Sequence, residues 1–219
     1  MGNKADIEYS RELDLEEKFN LFWNQALKTN GEDYLKRLTS NDLIEMKKAV
    51  SNINNLITLR VTMAFIDEIC RLGIINSKQA DNMKKDVKGA HPNTNGFDVH
   101  YPNPKREDEN DGLKLIAEVK CNIPVGGDKF GAAQRNEILK DLKGLRKGKG
   151  KYDENYTKPC KKFMVLLELQ DGEEVKEAMN NLREHNNEYK DKCVDLDGIN
   201  IENIDENHIY IVYVNINTA

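Results

Sequence analysis

Leu113-Lys114-Leu115-Ile116-Ala117-Glu118-Val119-Lys120 has the alternation of a β-strand. Successive strand side chains point to opposite faces. Leu113, Leu115, Ala117 and Val119 therefore make one wholly apolar face, and Lys114, Ile116, Glu118 and Lys120 make the other. Glu118 and Lys120 project the same way, with Cα atoms roughly 6.6 Å apart at strand rise. Packing alone does not call for a carboxylate and an ammonium together at the end of a core-facing strand.

Upstream, Gly96-Phe97-Asp98-Val99-His100-Tyr101 also alternates and reads as a strand, closed by Pro102 and Pro104. Lys105 to Gly112 is a charged turn, so the two strands are expected to lie antiparallel. Before them the patterning is helical. Leu15, Phe19, Phe22, Trp23 and Ala26 form one stripe over Leu13 to Leu27. Short helices are expected over Asp33 to Leu38 and over Asp42 to Ile53, the second capped by Thr39 with Asp42 and ending in the Asn-rich run at 52–55. Leu56 to Leu72 is apolar on two faces and so is expected to be mostly buried. Glu68 continues one of its apolar rows. A carboxylate there either reaches solvent at the helix end or is paired or bound to metal. Asn76 or Ser77 caps a polar helix through Val87.

Downstream, Pro124 to Asp128 is a loop without the Gly-Lys-Ser/Thr ending of a phosphate loop. A helix follows over Phe130 to Leu145, with Gln134 the one polar member of its apolar row. That amide either touches substrate or is a satisfied helix-end group. Lys140, Lys143 and Lys147 lie on its other face, continued by Arg146, Lys149 and Lys151, a solvated charge run or a phosphate contact. Phe163-Met164-Val165-Leu166-Leu167 reads as a central strand buried on both faces. Glu173 to His185 is an amphipathic helix, Asn186 to Asn207 is polar and irregular, and Ile209 to Val214 is a last buried strand. This order predicts an α/β chain: a mixed sheet flanked by helices, preceded by an α-helical N-terminal part. The 219 residues suffice for one domain, with residues 1–90 mainly helical and 91–219 forming the sheet core.

The chain is 38% hydrophobic and 32% charged, with a formal net charge of −5. That balance argues against a generic nucleic-acid coat protein, though not against an enzyme that focuses positive charge in one cleft. The four cysteines contain no CxxC pair, and no HExxH or HxH pair occurs, so zinc and thiol redox sites are not supported. Met1-Gly2-Asn3-Lys4 opens no apolar signal region, and no stretch is long enough to span a membrane, so a cytoplasmic protein is expected.

Asp98 and Glu118 lie on neighbouring strands and can face each other across the ladder. Two carboxylates with a backbone carbonyl make a hard-oxygen site suited to Mg²⁺. Such an ion polarises a phosphoryl oxygen and acidifies bound water, and Lys120 stands where it can orient that water. The plain alternative is a cross-strand salt bridge, Asp98 with Lys120 or Glu118 with Lys114, worth about 0–1 kcal/mol if exposed.

Asp98, followed by Glu118-Val119-Lys120 at the end of the next strand, resembles the PD-(D/E)XK motif of the nuclease superfamily that includes most type II restriction endonucleases. The likeness covers roughly Leu56 to Leu169, and it departs from the pattern in having Phe97 where a proline often precedes the aspartate. It implies a restriction-endonuclease-like fold. It also implies Asp98 and Glu118 as metal ligands with the Val119 carbonyl, Lys120 at the attacking water, Mg²⁺ with Mn²⁺ as substitute, and Glu68 as a further ligand by position. Gln134, Lys140, Lys143 and Lys147 are its DNA-contact candidates. The expected activity is endonucleolytic hydrolysis of duplex DNA, type II restriction first, by a homodimer matched to a palindromic site, with a cognate DNA methyltransferase in the same system. Bases would be read by loops at Lys105 to Gly112, Pro124 to Lys129 or Asn186 to Asn207. The competing expectations are a repair or phage-defence nuclease on branched or single-stranded DNA, and a non-catalytic DNA- or protein-binding module.

Overall fold

A computed structural model describes residues 11–90, 96–104, 112–169 and 173–216. The chain divides into two compact units, Met1–Asn52 and Ile53–Ala219. In the first, helix α1 (Arg11–Leu27) is followed by a turn in which Lys28 has φ 54°. Two helix asparagines hold that turn. Asn24 Oδ1 accepts from Glu32 N, and Asn20 Oδ1 accepts from both Tyr34 N and Leu35 N. The segment expected to be a helix over Asp33 to Leu38 is a single 3-10 turn, Leu35–Arg37.

Helix α2 (Ser40–Arg71) begins as expected, with Asp42 Oδ2 accepting from Thr39 N at 2.7 Å and Asp42 N donating to Thr39 Oγ1. It then runs without interruption through the Asn-rich segment that was expected to end a helix. Asn52, Asn54 and Asn55 are exposed helical residues. Asparagine lowers helix propensity only slightly, and no Gly or Pro breaks the backbone bonding there.

In the second unit, α3 (Ser77–Gly89) starts at Asn76, whose side chain and that of Gln79 form a reciprocal capping box. Strand β1 (Val99–Tyr101) is shorter than the expected Gly96 to Tyr101. Strand β2 (Leu115–Lys120) is the quoted run, and α4 (Ala132–Lys147) follows it. Then come a small hairpin, β3 (Gly148–Lys149) with β4 (Tyr152–Asp153), the short helix α5 (Glu154–Thr157), β5 (Lys161–Leu167), α6 (Glu174–Glu184), β6 (Cys193–Asp195) and β7 (Ile209–Val214). The β3–β4 hairpin and β6 were not expected. Strand β6 lies within the stretch read as irregular, and is only three residues long.

The protein is thus mixed α/β, with a five-stranded sheet in the order β1-β2-β5-β7-β6. Strands β1 and β2 are antiparallel, and the remaining neighbours are parallel. Strand β5 is central and its Phe163 to Leu166 are fully buried, as a strand covered on both faces must be. The two faces of β2 feed two cores. Leu115, Ala117 and Val119 pack with Phe65, Ile66 and Ile69 of α2 and Met83 of α3. Ile116 packs with Ile138, Leu142 and Leu145 of α4 and Met179 of α6. Glu118 shares the Ile116 face, so the sheet presses it toward α4. No helix among the described residues is long and apolar enough to cross a membrane.

Candidate active site

The β1–β2 register sets the first contact. Val99 pairs with Ala117, and one step outward places Asp98 opposite Glu118. The Asp98 side chain turns back onto β2, where its Oδ2 accepts the Val119 N–H at 2.8 Å. Asp98 itself is exposed, whereas Glu118 is 1% exposed.

Glu118 is not paired with Lys114, nor Lys120 with Asp98. The Lys149 ammonium lies 2.7 Å from Glu118 Oε1 and 3.3 Å from Asp141 Oδ1. The Lys120 ammonium lies 2.5 Å from Asp141 Oδ2, in charge contact without an aligned hydrogen bond. The cluster therefore holds three carboxylates, Asp98, Glu118 and Asp141, and two ammoniums, Lys120 and Lys149. Asp141, 2% exposed, is the buried counter-charge shared by both lysines.

Asp141 and Lys149 were not singled out in the sequence. Asp141 stands between Ile138, Leu142 and Leu145 on the buried face of α4. An acid at that point of an apolar row is the signal that marked it. Lys149 was absorbed into a basic run. What separates it is its glycine neighbours. Gly148 has φ 94° and ψ 159°, a region essentially closed to other residues. A Cβ there would lie 2.2 Å from Tyr152 O across the hairpin. Gly144 leaves passage for the Lys149 stem, since a Cβ on it would lie 3.4 Å from Lys149 Cβ. Gly148→Ala is accordingly expected to open the β3–β4 hairpin and withdraw Lys149, at a cost of about 3 kcal/mol. Thermal unfolding measures it, and a variant as stable as the parent would contradict the close approach.

Burial pushes the Glu118 carboxyl up to about 8, with the negative charges of Asp98 and Asp141 adding to it and Lys149 partly offsetting. Lys149 is raised by the same contact, through Glu118 and Asp141, against its own burial. The consequence for stability has a definite sign. Between about 4.5 and about 8 the folded protein keeps a proton on Glu118 that the unfolded chain has lost. Stability is therefore greatest at the acid end of that window and falls as pH rises through it, by up to ~1.4 kcal/mol per pH unit. Chemical denaturation of metal-free protein at pH 5, 6.5 and 8 is expected to show this decline, and Glu118→Gln to flatten it. An unchanged slope in that variant would sink the assignment.

The other residues singled out from the sequence are placed elsewhere or differently. Glu68, the further metal-ligand candidate, is paired away from Asp98 and Glu118. Arg71, one turn along α2, binds it through two contacts of 2.5 and 2.8 Å. Glu68 lines a cleft with Leu196, Asp197, Ile199 and Tyr213, beside β7, which lies two places from β2 in the sheet. Gln134 is the satisfied helix-end group. Its Oε1 accepts from Gly131 N at 2.8 Å and its Nε2 donates to Ile123 O at 2.9 Å. Lys140, Lys143 and Lys147 are exposed on α4. Lys140 and Lys143 line an open groove with Asn136, Asn186 and Tyr189, and Lys147 lies 3.7 Å from Glu188. His100 meets the Tyr152 ring edge-on at 5.6 Å. Residues 105–111 of the charged loop expected to read bases, and His91, lie outside the described residues.

Among the described residues no group of three or more His, Cys, Asp or Glu side chains is arranged to hold a metal ion. The donor chemistry nevertheless fits Mg²⁺, which takes one or two carboxylates and retains several waters. Asp98, just before β1, and Glu118 on β2 supply those two oxygen donors. Burial chiefly, and then the neighbouring Asp98 and Asp141 charges, raise the Glu118 carboxyl, so Asp98 and Glu118 lie within electrostatic reach of each other. Comparison with protein-family models, with curated proteins and with solved structures found no match.

Proposed function

We propose that the protein is a Mg²⁺-dependent endonuclease of the PD-(D/E)XK type, hydrolysing phosphodiester bonds in double-stranded DNA, with sequence-specific type II restriction as the leading role. The observation that carries this reading is the juxtaposition of Asp98 with Glu118 across the β1–β2 ladder, with Lys120 two residues further on the Glu118 face. The element order supports a restriction-endonuclease-like core: a helix, an antiparallel strand pair, then α4 leading over to the parallel strand β5.

In this reading Asp98, Glu118 and the Val119 carbonyl would hold Mg²⁺, whose chemistry would be polarisation of a phosphoryl oxygen and acidification of a water. Lys120 presents its ammonium to the attacking water and to the charge growing on the phosphate. Asp141 holds that ammonium at the end of β2. The exposed lysines of α4, Lys140, Lys143 and Lys147, contact the DNA backbone and give affinity without sequence preference. The enzyme acts in the cytoplasm as a homodimer beside a cognate DNA methyltransferase, with Mn²⁺ able to replace Mg²⁺.

The direct test is incubation of unmethylated phage DNA with Mg²⁺, beside Ca²⁺ and EDTA controls. Discrete fragments with fixed ends, formed only with Mg²⁺, are expected. A repair-type nuclease would instead cut branched or single-stranded substrates. One observation favours a non-catalytic binding module as the second reading: both lysines of the cluster are already engaged with carboxylates. That reading predicts no cleavage of any of these substrates by the folded protein.

A further inference from the structure

Lys149 reaches the site from outside the motif strands, and its placement is built rather than incidental. The β3–β4 hairpin turns directly off the end of α4, and its first residue must be glycine for the turn to close. Gly144 clears the path of the lysine stem. The ammonium then bridges Glu118 Oε1 and Asp141 Oδ1 at 2.7 and 3.3 Å. Glu118 is buried, but the Lys149 side chain is 33% exposed, so it has a way out to water that Glu118 lacks.

An ammonium 2.7 Å from Oε1 occupies the position from which a metal ion would draw that oxygen's charge. A divalent ion and an ammonium in contact with one carboxylate oxygen repel each other strongly in a site screened from water. While Lys149 stays on Oε1 it therefore weakens the hold of Glu118 on the ion, and its withdrawal relieves that repulsion.

We infer that Lys149 is a built-in counter-cation for Glu118, displaced by the divalent ion on binding, and that it thereby sets the metal affinity of the site. The inference rests on the metal-site reading above. Where Glu118 is ionised, Lys149 compensates a buried carboxylate whose solitary charge would be costly. On metal entry the side chain swings toward solvent, and Asp141 keeps its second contact, with Lys120. The metal pays for that displacement, so the apparent affinity is lower than the two carboxylates alone would give.

The test is Mn²⁺ binding to the full-length protein under argon at pH 9, where proton competition at Glu118 is reduced, with free ion counted by electron paramagnetic resonance, so that no turnover is needed. Lys149→Gln is expected to tighten the Mn²⁺ Kd by at least about tenfold. Lys149→Met should shift it the same way, and Lys149→Arg, which keeps the charge, should stay within about threefold of the parent. The Gln variant retains a donor for Glu118, so it remains informative if the Met variant fails to fold; circular dichroism checks each. Binding by the parent with no tightening in Lys149→Gln would overturn the displacement and leave the metal site standing. Binding by neither would overturn both.

Discussion

Asp98→Ala and Lys120→Ala are each expected to reduce Mg²⁺-dependent DNA cleavage by about 10²–10³-fold or more, the scale on which loss of one transition-state-stabilising group is felt. Asp98 is the cleaner of the two. It is exposed, and its one hydrogen bond to the sheet is the acceptance from Val119 N. Losing that bond costs roughly 1 kcal/mol, so the alanine protein should still fold. Asp98→Asn sharpens the experiment, because an amide oxygen can still accept from Val119 while the charge is gone. If the charge matters through the metal, Asn fails as completely as Ala. Lys120→Ala leaves the buried Asp141 with Lys149 as its remaining cation, so its folding must be checked beside its activity. Full cleavage by either alanine variant, in protein of normal secondary structure, would remove these residues from the active site.

Asp141→Ala is expected to cause the largest loss of stability of any single change in the cluster. Removing one member of a buried ion pair costs roughly 3–5 kcal/mol, since the remaining charge is left without compensation. Here the lower end applies, about 3 kcal/mol, because Lys120 and Lys149 are partly exposed and can turn to water. In a chain of this length that corresponds to a fall in Tm of roughly 6–12 °C. Asp141→Asn preserves the shape but not the charge, and should recover only a small part of the loss. A Tm within about 2 °C of the parent would mean that the two lysines do not depend on Asp141.

Much of the architecture follows from local pattern. The alternation in Leu115 to Lys120, the apolar run at Phe163 to Leu167 and the 3.6-residue periodicity of α4 and α6 each mark an element by the faces it must bury. The caps at Thr39 and Asn76 follow likewise, since side-chain capping involves neighbours three residues apart. Where expectation and structure differ, the deciding forces are small or distant. The Asn-rich segment within α2 lowers helix propensity by a few tenths of a kcal/mol per residue, too little to break a helix that continues on both sides. Strand β6 exists because β7 offers it a parallel partner, which no three-residue pattern announces.

The same division runs through the site. That Asp98 and Glu118 can face each other was legible from two consecutive alternating runs, and the β1–β2 register alone fixes which residues stand opposite. That Glu68 pairs with Arg71 was also within reach of the chain alone, three residues away on one helix. The partners of Glu118 and Lys120 were not. Lys149 is 31 residues from Glu118 and Asp141 is 21 from Lys120, and their meeting depends on how α4 packs over β2 and how the glycine hairpin turns back. The amino-acid sequence by itself determined β2, β5 and β7, the helices α1, α4 and α6, and the placing of Asp98 and Glu118 on successive extended runs, because periodicity is local. Tertiary structure alone decided that Lys149 meets Glu118 and that Asp141 holds Lys120, because the balance of buried charge is settled only when separate elements close over it.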